Sequence, residues 1–148
     1  MGTWGANAFE DDTALEYYDR FCNSQQSISE LENGIEIVLS KKYNMEGLLM
    51  EGFTEPVKAL VFAEIIAKAY GNPSDKFPDD EYHRDMEIRK IEFTSISNKL
   101  TEEIKEKTVK TIQKIKVDKN MHLTVLWMES DSYDVWTEYL NGLITRLT

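Results

Sequence analysis

The chain is organised around the segment TEPVKALVFAEIIAKAYG, which runs from Thr54 to Gly71. Thr54 can cap a helix, Pro56 suits the first helical turn, where its missing N–H costs nothing, and Gly71 is a typical helix end. Because a helix that is apolar all round must be covered by other elements, we predict that this is the central helix of the domain. Its apolar positions are Val57, Leu60, Val61, Ile65 and the alanines.

The segments before this helix also have helical spacing. Residues 12–23 predict a first helix. Ser27-x-x-Glu30 is a capping box, in which each side chain satisfies a free backbone N–H, and it predicts a second helix that ends near Lys42. Residues 44–53, which contain Gly47 and Gly52, are predicted to be a connection.

The second half of the chain predicts further helices. Residues 71–80 contain Pro73 and Pro78 and are predicted to be a loop. Residues 82–93 fit a short helix or an alternating strand, and we favour the helix because its neighbours are helical. From Ile96 to Ile115 an apolar stripe predicts one long amphipathic helix. Two more helices are expected, one over residues 123–129 and one that starts near residue 131.

These patterns predict an all-α fold in which residues 1–148 form a single compact domain of six or seven helices with an N-terminal arm packed on the body. Trp4 and Phe9 offer large apolar surfaces that could anchor this arm, and Asp11 or Asp12 can cap the first helix. We predict that Trp4 docks on a corner formed by Trp127 and Trp136.

Composition excludes several classes of protein. The net charge of −10 argues against nonspecific nucleic-acid binding and favours either a basic partner or simple solubility. Cys22 is the single cysteine, so no internal disulfide can form. No apolar run is long enough to span a membrane, and no secretory signal is recognisable. We therefore expect a cytoplasmic protein that binds no membrane.

No catalytic motif is recognisable, and three residues remain as candidates for chemistry. His83 and Asp79 would share a helical face and could contact a metal, but a solvated acidic helix start is the favoured interpretation. His122 is expected at a helix surface. Glu64 could serve acid–base chemistry if burial raises its pKa, but we favour a structural role. In that role it is either a buried carboxylate with a partner or an edge residue beside Lys68 at i+4. We predict no cofactor and no metal.

Charge is distributed unevenly along the sequence. Between Lys99 and Lys119 seven lysines face four acidic residues, so the rest of the chain carries a net charge of −13. Two acidic clusters are candidate contacts for a basic partner protein. They consist of Asp79, Asp80 and Glu81 on the predicted loop and of Glu129, Asp131 and Asp134 before the last helix.

Three motifs resemble one known family. The chain opens with MGTWG followed by FEDD-x-ALE, its centre contains AEIIA and GNP, and its end contains LWMES, Trp136 and the pair Arg146-Leu147. Together they are similar to a bacterial family described only as domain of unknown function 4259. The resemblance spans the chain and implies a compact helical fold, but it implies no activity.

The leading hypothesis is a cytoplasmic binding protein that is not an enzyme. In its most concrete form it is an immunity or antitoxin-type protein that covers the active site of a basic toxin or nuclease. One alternative is an enzyme that uses buried carboxylates, with or without a divalent metal. Another is a structural or regulatory subunit that forms homo-oligomers through the stripe from Ile96 to Ile115.

Overall fold

The computed structural model describes residues 5–44 and 50–148, and within these ranges the protein is all-helical, as predicted. The described residues form eight helices, so the expected count of six or seven was too low. The helices are α1 (Asp12–Asn23), α2 (Ile28–Ser40), α3 (Glu51–Ala69), α4 (Asp80–Met86), α5 (Phe93–Lys99), α6 (Glu102–Val117), α7 (His122–Met128) and α8 (Tyr133–Leu147). None of them is long and apolar enough to cross a membrane.

The central position of α3 is confirmed. This helix packs against α1, α2, α5, α6, α7 and α8. Every residue from Ala59 to Ala67 is buried, including Glu64. The remaining helices cover the apolar surface that α3 presents on all sides.

The start of α3 differs from the prediction. The backbone N–H groups of Phe53 and Thr54 donate to the carbonyl of Met50, and the Thr54 hydroxyl donates to the same oxygen. Thr54 therefore lies inside the helix instead of capping it, and Gly52 belongs to the helix and not to a connection. A Cβ on Gly52 would lie 2.9 Å from the backbone nitrogen of His122, so only glycine lets α7 begin this close to α3.

Two breaks in the second half differ from the prediction, and the first of them adds a helix. The stripe from Ile96 to Ile115 is divided between α5 and α6, because the Thr101 hydroxyl oxygen accepts a hydrogen bond from the Ile104 N–H at 3.2 Å and caps a new helix. The ambiguous segment 82–93 is also divided. Helix α4 stops where Glu87 takes a left-handed φ of 55°, and residues 88–92 form no helix.

The described part of the N-terminal arm packs against α1 and the loop after α3. Phe9 is buried, and its ring meets those of Tyr18 and Phe77 edge to face at centroid distances of 5.7 and 5.0 Å. The Asn7 amide donates to the Ser74 hydroxyl at 2.8 Å. Trp4 and the docking predicted for it lie outside the described residues.

Candidate functional site

Helix α1 carries a polar stripe on the side that faces away from the core. Asp12, Glu16, Asp19 and Asn23 follow one another at spacings of four, three and four residues, which places them on one helical face. Asp12 and Glu16 are exposed. The opposite side of α1 is buried through Ala14, Tyr18, Phe21 and Cys22.

Residues 79–92, which we call the strap, lie against the C-terminal half of this stripe. The strap contains α4 and the non-helical residues after it. The Tyr82 hydroxyl donates to Asp19 Oδ1 at 2.8 Å, and the Arg89 N–H donates to Asn23 Oδ1 at 3.2 Å. Asp79 caps α4 by accepting from the Tyr82 N–H at 2.9 Å.

The strap and α1 together form an acidic face. Helix α1 and the strap contain nine acidic and four basic residues, a net of −5 in a chain of net −10. Asp80 and Lys90 form an ion pair at 3.4 Å, but both side chains are mostly exposed, so the pair neutralises little of this charge. We define the acidic face as Asp12, Glu16, Asp19, Asp79, Asp80 and Glu81.

Sequence reasoning identified half of this face. It selected the run Asp79 to Glu81, which the structure places exposed at the start of the strap. It missed the carboxylates of α1, although their spacing on one face of the first helix was visible in the sequence. The missing information was that Tyr82 and His83 hold the strap beside α1.

The second predicted cluster lies on another element of the fold. Glu129, Asp131 and Asp134 are exposed around the N-terminus of α8, where negative charge suits the helix dipole. The loop that leads to the strap is bound at the other end of α8, where the Asn72 amide donates to the Arg146 carbonyl at 3.0 Å. A helix of this length extends about 22 Å, so α8 separates this cluster from the point where the loop is bound.

Glu64 is buried and has partners that sequence reasoning did not identify. Arg146 contacts both of its carboxylate oxygens, at 2.7 and 3.0 Å, and the Tyr139 hydroxyl donates to it at 2.5 Å. Burial, together with the Glu64 carboxylate, raises the pKa of the Tyr139 hydroxyl well above its usual range. Glu64 is therefore a buried carboxylate with a partner, one of the two structural forms expected, and it is not at an edge beside Lys68. The Lys68 ammonium lies instead over the rings of Phe77 and Phe93 at 4.5 and 4.8 Å.

His83 is buried and not solvated, contrary to the interpretation of the α4 start. Its Nδ1 lies 3.0 Å from the Arg89 carbonyl oxygen, which can only accept, so Nδ1 carries a proton. Its Nε2 lies 2.7 Å from the Tyr18 hydroxyl, and in the tautomer with its single proton on Nδ1 this nitrogen accepts from the hydroxyl. Phenol, imidazole and carbonyl thus form a continuous chain, and the Cys22 thiol lies one turn of α1 after Tyr18.

No group of three or more His, Cys, Asp or Glu side chains suited to a metal ion occurs within residues 5–44 and 50–148. His122 is half-buried beside the ring of Phe53, and its Nδ1 is buried without a partner among these residues. The arrangement assigns His122 no chemical role.

The rings of Trp127 and Trp136 form a stacked pair, with centroids 5.7 Å apart and planes 6° from parallel. Trp136 is buried, and arm residues 5–8 line a cavity of about 30 Å³ beside the pair, roughly the volume of one water molecule. The tryptophan pair is thus part of the core where the arm meets α7 and α8.

Comparison with known proteins identifies the family. Residues 2–139 match the family described as "Domain of unknown function (DUF4259)", and the chain belongs to this family. No curated protein and no solved structure matches the chain.

Proposed function

We propose that this member of the DUF4259 family is a protein-binding module that is not an enzyme, and that it engages a basic partner protein through the acidic face. In its most concrete form it is a cytoplasmic immunity or antitoxin-type protein whose carboxylates cover the basic active site of a toxin or nuclease. A concentrated negative surface steers a basic protein into contact and discourages other partners.

One observation supports this proposal above the others. Five carboxylates of the acidic face remain exposed and the sixth, Asp19, is half-buried under Tyr82, whereas the buried Glu64 and His83 are hydrogen-bonded within the chain. Asp79, Asp80 and Glu81 all face solvent, and within the described residues Asp80 alone among them has an ion-pair partner. Charge that the fold does not neutralise is available to a partner.

The buried groups give less support to an enzyme. Glu64 is held by Arg146 and Tyr139, and His83 is held by Tyr18 and the Arg89 carbonyl. A general acid or base needs a proton-accepting or proton-donating position directed at substrate. In both Glu64 and His83, the atoms that could accept or donate a proton form their hydrogen bonds with structural partners.

Self-association through the α5–α6 stripe is also less favoured. Ile96, Ile104, Ile112 and Ile115 are at most 6% exposed, because α5 packs on α3 and α6 packs on α2, α3, α7 and α8. The apolar side chains of the stripe are therefore buried by contacts within a single chain. A homo-oligomer would have to use another surface.

Two matched variants test the proposal. The strap triple is Asp79→Asn, Asp80→Asn and Glu81→Gln, and the α8 triple is Glu129→Gln, Asp131→Asn and Asp134→Asn. Both remove three charges, and the cap of α4 is kept because asparagine caps helices as well as aspartate does. A partner is first captured from native-host lysate at low salt, and its association rate with each variant is then measured. We expect the strap triple to slow association on the order of tenfold at low salt and the α8 triple to slow it much less.

Three outcomes would contradict the proposal. The first is capture of no stoichiometric basic protein. The second is a captured partner whose binding does not weaken as salt rises. The third is an equal loss in both triples, which would show that total charge matters and the acidic face does not.

A further inference from the structure

We propose that the strap opens as a unit while the rest of the protein stays folded, and that its opening uncovers Cys22. This inference does not depend on the acidic face binding a partner. It concerns residues 79–92 and the part of α1 beneath them.

Few apolar contacts hold the strap to the body. Between residues 79 and 92 only His83 and Ile91 are buried, Tyr82 and Ile88 are partly buried against the core, and Met86 is half exposed. Helix α4 meets α1 through Tyr82 and His83, whose rings contact Tyr18 edge to face, and it packs closely along no helix among the described residues. The segments of a protein that open at low free energy are those with few buried apolar contacts, and the strap has this property.

Polar side chains of the α1–α2 turn provide most of the attachment. Gln26 Nε2 donates to the carbonyls of Cys22 and Lys90 at 2.8 and 3.0 Å, and its Oε1 accepts from the Glu92 N–H at 2.9 Å. Gln26 does this from a left-handed φ of 53°, a conformation that is strained for a residue with a Cβ. Water can replace such hydrogen bonds when the strap lifts, so they give a reversible attachment.

Cys22 is fully buried one turn after Tyr18, on the flank of α1 that the strap contacts through Tyr18, Asp19 and Asn23. The Tyr18 hydroxyl donates to His83 of the strap. His83 then donates to the Arg89 carbonyl, so the chain of hydrogen bonds ends in the strap itself. Lifting the strap breaks this chain and removes the cover of the thiol, so the reactivity of Cys22 reports whether the strap is closed.

The test uses the fact that Cys22 is the sole cysteine. The purified protein is labelled with a disulfide reagent such as DTNB over a series of urea concentrations below the unfolding transition. Opening of a small unit exposes little surface, so its rate depends weakly on urea, whereas global unfolding depends on urea with the full m-value. We expect weak dependence at low urea, changing to full dependence near the transition.

A pair of variants separates local from global opening. Gln26→Gly deletes the three side-chain hydrogen bonds and relieves the left-handed backbone, and we expect it to speed labelling without urea at least tenfold. Lys114→Met removes an ammonium that donates to the Val38 carbonyl at 2.7 Å, at the end of α2 opposite Gln26. It should lower global stability but leave labelling without urea within about twofold, because the strap is intact.

Several outcomes would overturn the inference. Labelling that follows the full m-value at every urea concentration would mean that Cys22 is reached only by global unfolding. If the variants sped labelling in proportion to their loss of global stability, Cys22 would again be reached only by global unfolding.

If Gln26→Gly does not fold, Tyr82→Phe replaces it. This variant loses only the bond to Asp19, and we expect labelling to increase a few-fold. An unchanged labelling rate in that variant would also count against opening of the strap.

Amide hydrogen exchange gives an independent test. The amides of Ile88, Arg89 and Glu92 should share one opening free energy, and divergent values would contradict opening as a unit.

Discussion

At the scale of single residues, Glu64 connects parts of the chain that are far apart in sequence. Its carboxylate in α3 binds Arg146 and Tyr139 of α8. The Arg146 carbonyl also accepts from the Asn72 amide, and its guanidinium donates to the Asn72 carbonyl, in the loop after α3. One buried carboxylate and its counter-ion therefore connect the central helix, the loop and the last helix.

Removal of the Arg146 charge should be strongly destabilising. Arg146→Met leaves the Glu64 carboxylate buried without its counter-ion, which typically costs about 3–5 kcal/mol of unfolding free energy. The matched control Lys68→Met loses only contacts of an ammonium with aromatic rings, worth roughly 0.5–1 kcal/mol. Urea unfolding measures both. If Arg146→Met cost no more than Lys68→Met, the central role of the Glu64 network would be wrong.

Alkaline pH should destabilise the fold through Cys22. Burial raises the pKa of this thiol from 9.0 to about 12, so the folded protein keeps the proton where the unfolded chain has lost it. The stabilising contribution is complete below pH 9 and is lost as pH rises toward 12, at up to about 1.4 kcal/mol per pH unit. Urea unfolding at pH 8, 9 and 10 should give a steeper decline for the wild type than for Cys22→Ala.

In the same pH series, buried tyrosines add to the loss of stability at higher pH. Burial also raises the pKa of the Tyr18, Tyr43 and Tyr82 hydroxyls, and their unfolded-state value is 10.0. Both proteins should therefore lose stability above pH 10. Parallel curves between pH 9 and 10 would show that the buried thiol does not carry the effect.

At the scale of helices, the places where they begin and end depend on two kinds of signal. Caps that act within four residues, such as Ser27 accepting from the Glu30 N–H at 3.1 Å, are visible in the sequence and were predicted. The division of the Ile96–Ile115 stripe was missed because Thr101 interrupts a continuous apolar periodicity. The start of α3 was missed because Gly52 suggested a connection. Its role inside the helix is to let α7 approach, and this contact joins segments that are far apart in the sequence.

Two helical glycines should respond oppositely to the same substitution. Gly142→Ala in α8 adds a methyl group to open space and removes the entropic cost of glycine, so it should raise the unfolding free energy by about 0.5–1 kcal/mol. Gly52→Ala forces a Cβ against the His122 backbone, and overpacking of this kind costs roughly 1–3 kcal/mol. Thermal or urea unfolding of the two variants measures both effects. Equal changes would mean that α7 moves freely away from α3.

At the scale of the whole molecule, α1 and the strap carry half of the net negative charge, −5 of −10, while the lysine-rich α6 packs on α2, α3, α7 and α8. The all-α class and the central helix were predicted from composition and periodicity. The single domain remains an expectation from the same patterns. The acidic face could be predicted only in part, since it depends on Tyr82 and His83 reaching α1 across more than sixty residues. Sequence patterns over a few residues carry no information on such contacts.

Concentrated charge should make stability depend on salt. Raising ionic strength from about 0.01 M to 0.3 M shortens the Debye length from about 30 Å to less than 10 Å, which screens repulsion across the acidic face. We expect the melting temperature of the wild type to rise by about 2–4 °C, as for a gain of 1 kcal/mol in a protein of this size. The strap triple should show a smaller rise than the α8 triple in differential scanning calorimetry. Identical rises would show that the repulsion is not localised there.

The pairing of Glu64 with Arg146 has a consequence for how the protein is made. Their side chains are separated by 82 positions, so a ribosome that has completed α3 still has to add α8 before the buried carboxylate finds its counter-ion. At about 5–20 residues per second this takes roughly 4–16 s. At the start of that interval the carboxylate of the nascent central helix has no counter-ion, and only α1 and α2 among its neighbours have been synthesised. The unfinished chain is then a natural substrate for chaperones, because the sides of α3 that α5 to α8 cover are still apolar and open.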